Sequence, residues 1–101
     1  MDTDNLIAHG RSRFEHAAAK RTLTEKYQGK LTFGWNSGMF KATPEMITFL
    51  SLYDDVSVVI LDLYGNPVEV NAKELCNIMK IKYQEQMTAW STEYTELNKN
   101  R

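Results

Sequence analysis

A single cysteine, Cys76, means that this chain cannot close an internal disulfide, and it fits a reducing compartment. No apolar run approaches the ~20 residues needed to span a bilayer. The opening Met1-Asp2-Thr3-Asp4 is acidic, where a secretory leader would be basic. A soluble, cytoplasmic protein with no membrane partner is therefore expected. There is no phosphate-cradling glycine loop and no nucleophile elbow. The two histidines, His9 and His16, would sit about 10.5 Å apart along a helix, too far to share one metal. Asp54-Asp55 reads as a turn and Cys76 as a packed thiol. The expectation is no enzyme, no catalytic residue, no metal, no cofactor and no small-molecule substrate.

Charge of either sign is scarce in the sum, which is −1, and this argues against tight non-specific nucleic-acid binding. Its distribution is less even. Residues 9–30 carry six basic and two acidic side chains, whereas residues 44–75 carry six acidic and one basic. Such asymmetry describes either solvated surfaces or a basic face for phosphates or an acidic neighbour. With 43% apolar and 25% charged residues the chain is not disordered, and 101 residues make one domain, residues 1–101.

The centre of the chain is the run Val56-Ser57-Val58-Val59-Ile60-Leu61-Asp62-Leu63-Tyr64, rich in β-branched residues and fenced by Asp54-Asp55 and Gly65-Asn66-Pro67. Val56, Val58 and Ile60 point one way, and Val59, Leu61 and Leu63 the other. A strand apolar on both sides is expected to be covered on both sides.

Around it the order is helix, strands, helix. Residues 4–28 read as a helix capped by Asp4 and stopped by Gly29, with Leu6, Ile7, Phe14, Ala17, Ala18 and Leu23 on one side. The β core spans residues 30–71. Leu31–Trp35 and Met39–Ala42 form a hairpin through a three-residue loop, Asn36-Ser37-Gly38, with Gly38 at a positive φ. Met46–Tyr53 is read as a third strand in preference to a helix begun by Pro44-Glu45. Val68–Val70 closes the β region. Asn71-Ala72-Lys73-Glu74 is a capping-box-like start for a helix over residues 72–97. Its stripe ends in Trp90, Tyr94 and Leu97, which overhang a small body and need the first helix or a second subunit as cover. The fold class expected is mainly β with flanking helices: a five-stranded, strongly bent antiparallel barrel with an N-terminal and a long C-terminal helix.

The chain's length, its element order and the stretch Phe33-Gly34-Trp35-Asn36-Ser37-Gly38-Met39-Phe40 resemble a family of small ocean-metagenome proteins of marine cyanophage origin, associated with the Sm-like fold. The resemblance implies a bent five-stranded barrel, assembly into a homo-oligomeric ring, and single-stranded RNA or DNA binding in the host cytoplasm. Asp62-Leu63-Tyr64-Gly65-Asn66 has the Asp and Asn spacing of the first Sm motif, although it falls between the fourth and fifth strands. The candidate nucleic-acid residues are Lys30, Trp35, Asn36, Lys41, Tyr64 and Asn66: rings for stacking, amides for base edges, ammonium groups for phosphates. The alternative is a phage structural or adaptor protein that docks on another protein, with no nucleic-acid ligand.

Overall fold

Turn and cap chemistry sets most of the architecture. The computed structural model describes residues 3–99, with side chains from Arg13 onward. The expectations for the side chains of residues 1–12, His9 and Arg11 among them, lie outside the described residues. The elements run α1 (Thr3–Lys30), β1 (Thr32–Trp35), β2 (Gly38–Lys41), α2 (Pro44–Ser51), β3 (Ser57–Leu61), β4 (Pro67–Asn71) and α3 (Ala72–Lys99). β1 pairs with β2 and β3 with β4, both antiparallel, as two separate two-stranded sheets.

The expected five-stranded barrel is not formed. Its third strand, Met46–Tyr53, is the helix α2. Thr43 is the N-cap, its hydroxyl accepting the Met46 N–H at 3.2 Å, and Pro44 occupies the first turn, where its missing donor costs nothing. Four strands remain, too few to close a barrel, and the two hairpins are joined by single bonds instead of a ladder.

The first hairpin is tighter than expected. Trp35 faces Gly38, so Asn36 and Ser37 alone make the loop, with φ of 47° and 68°. This is a type I′ connection, whose twist matches that of the strands. Gly38 sits inside β2 and is buried. A Cβ there would come within 2.9 Å of a Val68 methyl and 3.0 Å of the Phe40 ring, so its need is close packing and not a positive φ. In the second hairpin the positive φ, 81°, belongs to Gly65.

The hairpins, α2 and the start of α3 enclose one core of Leu31, Phe40, Leu50, Val70, Leu75 and Met79, all 0–2% exposed. Asn71 caps α3 as its sequence suggests, its side-chain oxygen accepting the Glu74 N–H at 2.9 Å. From this head α1 and α3 extend side by side as a stalk. Tyr27 stacks on Trp90, Lys26 pairs with Glu93, and Leu23 shares a groove with Leu97. Residue numbers fall on one helix as they rise on the other, so the pair is antiparallel. Continuing that register sets Lys99 level with Lys20. The earlier part of α1, with Phe14 72% exposed, reaches past the described end of α3. The molecule measures 66 × 24 × 19 Å, and across the stalk it is only two helices wide.

The central run is covered on one side only. Val58 and Ile60 face the core, but Val59 and Leu61 are 67% and 64% exposed. The long helices lie along each other and not across the second face of the sheet, so no layer is left to cover it.

Candidate interaction surfaces

The residues expected to meet nucleic acid do not form one site. The first hairpin touches the second at two places: Met39 C=O accepts the Leu63 N–H at 2.6 Å, and Asn36 Nδ2 donates to Glu69 C=O at 3.4 Å. Asn36 in the first turn and Tyr64 and Asn66 in the second are exposed, Tyr64 at 71%. Trp35 packs against the core, with its indole N–H enclosed and lacking an acceptor. Lys41 pairs with Thr32 at the far end of the first hairpin, three residues or about 10 Å from its tip. Lys30 ends α1, its ammonium 5.3 Å from the centre of the Tyr27 ring. Lys41 is thus set back from Asn36, but it lies two residues beyond Met39, whose backbone meets Asp62 and Leu63 of the second hairpin.

What joins the tip of the second hairpin to the first is an anion. The Asp62 carboxylate accepts N–H groups from Met39 at 3.2 Å and from Tyr64 and Asn66 at 2.9 Å each. These bonds, that from Asn66 first, hold its pKa below the ordinary carboxylate value. The Asp62 and Asn66 pair, whose spacing suggested a nucleotide loop, thus closes a turn and fastens one hairpin to the other. Sequence reading missed this role. The Asp-x-x-Gly turn pattern was its only local sign.

A second surface is the free side of β3. Asp62 N–H bonds Asn66 C=O and Ala72 N–H bonds Val56 C=O, bracketing the β3–β4 ladder. By the alternation of an antiparallel pair, Ser57, Val59 and Leu61 turn their N–H and C=O groups away from β4. Among the described residues, the bond continuing that edge is Leu63 to Met39, beyond the strand's end. The edge from Ser57 to Leu61 carries no Lys, Pro or bulge of the kind that blunts exposed strands. Beside it lie Leu63 and Tyr64, 49% and 71% exposed.

The third surface is the stalk. The Tyr27 and Trp90 rings stack at 5.9 Å and 10°, and Tyr27 is 2% exposed. Lys26 Nζ donates to Glu93 Oε1 at 2.7 Å, which raises the lysine pKa and lowers that of the glutamate. Trp90, Tyr94 and Leu97, expected to need cover, receive part of it from α1. Tyr94 stays 40% exposed. Its groove is lined by Lys20, Thr24, Met87, Trp90 and Ser91.

Among the described residues no group of three or more His, Cys, Asp or Glu is placed to hold a metal, and no helix is long and apolar enough to cross a membrane. Cys76 is buried, its Sγ 3.6 Å from Ile47 C=O. No protein-family model matches the chain, and no curated protein or solved structure does so either.

Proposed function

We propose that this chain is a structural or adaptor module that works by docking another protein's extended segment on β3, with no nucleic-acid ligand. The observation that carries this reading is the edge of β3. Among the described residues it offers unpaired backbone groups at Ser57, Val59 and Leu61 beside exposed apolar side chains, the combination used in strand addition. Backbone bonds would supply affinity there, and Val59 and Leu61 would select an apolar, β-branched partner strand. The Asp62 carboxylate where the two hairpins meet weighs against a phosphate-binding groove there. The buried thiol of Cys76 agrees with work in a reducing cytoplasm.

Titration of the isotopically labelled protein with two probes tests the reading: a Val–Thr repeat peptide with lysine ends, and a single-stranded U-rich oligonucleotide. The peptide is expected to shift and protect the Val59 and Leu61 amides. Oligonucleotide-induced, salt-dependent shifts at Lys30, Lys41, Trp35 and Tyr64, with β3 silent toward the peptide, would overturn it.

A further inference from the structure

A stalk of two helices exposes more than it hides. This chain presents 7154 Å² to solvent, about 1,250 Å² more than the ~5,900 Å² of a compact 11.7 kDa monomer. A standard interface removes ~800 Å² from each partner, an area that the side of a 66 Å long molecule can supply. The groove beside Trp90 is the face best suited to it. Its α3 wall is uncharged, made by Met87, Trp90, Ser91 and Tyr94, and its α1 wall carries one cation, Lys20.

We propose that a second copy of this chain seats on this groove, giving a four-helix stalk in which α1 of each copy lies against α3 of the other. Charge selects that arrangement. From Lys20 to Lys30, the part of α1 level with α3, there are four basic residues and Glu25 against them. From Ala89 to Lys99, the facing part of α3, there are Glu93 and Glu96 and one basic residue, Lys99. A two-fold axis along the stalk places each α1 between its own α3 and that of the other copy, so that opposite charges adjoin and all neighbouring helices are antiparallel. An axis across the stalk would set α1 on α1 with like charges facing. The first arrangement puts both heads at one end, and the dimer is no longer than the monomer. Lys20 lines the same groove as Tyr94, so it then approaches the Tyr94 ring of the other α3, whose face favours a cation.

This assembly is independent of what β3 binds, because its surface lies on the stalk. Light scattering on the eluting full chain is expected to give twice 11.7 kDa in the micromolar range, and small-angle scattering a maximum dimension near 66 Å. Tyr94→Lys and Ser91→Arg, both at solvent-exposed positions, should each weaken the dimer by about tenfold or more with helical content unchanged. If Tyr94→Lys disturbs folding, Ser91→Arg decides. A mass of 11.7 kDa throughout, a dimer indifferent to a folded variant, or a dimer longer by a head would each overturn the proposal.

Discussion

The Asp62 carboxylate accepts the Met39 backbone N–H at 3.2 Å, and with it a side chain of the second hairpin holds a strand of the first that shares no ladder with it. Asp62→Ala should therefore loosen the head as a whole. Hydrogen exchange is expected to quicken at Met39, Tyr64 and Asn66 together, with a lower melting temperature. The same bonds set a pH dependence. They depress the folded-state pKa below 3.8, so the native chain binds fewer protons than the unfolded chain in that range. Stability from this group is full above the unfolded value and is lost as pH falls through the lower folded value. Thermal melts between neutral and strongly acid pH should show this loss, and Asp62→Asn should flatten it.

Ser37 holds φ at 68° in the type I′ loop without being glycine. An L side chain there is strained, and glycine accepts the conformation freely. Ser37→Gly should stabilise the protein by about 0.5–1 kcal/mol, read from urea unfolding, after allowance for glycine's greater unfolded-state entropy. Ser37→Val should move the midpoint the other way.

Trp35 Nε1 is enclosed without an acceptor. Removing a buried aromatic usually costs 3–5 kcal/mol, but leaving a donor unpaired already costs about 1–3 kcal/mol. Trp35→Ala should therefore fall below the usual loss, while Phe40→Ala, at a fully buried and apolar position, should show all of it. Denaturant midpoints of the two variants make the comparison.

Thr43 starts α2 by accepting the Met46 N–H. Thr43→Ala should cost about 1 kcal/mol, and Thr43→Ser or Thr43→Asp should restore most of it. Circular dichroism during thermal unfolding measures both.

The local chemistry of this chain was easier to read than its layering. Asn71 and Glu74 announced the start of α3, and the turn residues around Asn36 announced the first hairpin. Thr43-Pro44-Glu45 announced a helix just as clearly. The following Met46-Ile47-Thr48-Phe49-Leu50 is apolar enough to fit either period, and β propensity misled. The doubly apolar β3 expressed a preference for burial, yet whether a second layer arrives depends on where the helices go, and no residue in the strand encodes that. The placement of the site residues was hard to read for a related reason. Lys30 and Lys41 bracket the hairpin in sequence, but a strand is straight, and its two ends stay a strand length apart.

Because α1 runs toward the head and α3 runs away from it, Thr3 and Lys99 both belong to the far end of the stalk. Tension applied at these two points loads the helix pair in peeling geometry. Contacts part in turn from the free end, Leu97 first and Tyr27 last, and the hairpins feel no force until the rod has split along its length. The head is thus mechanically insulated by its own handle.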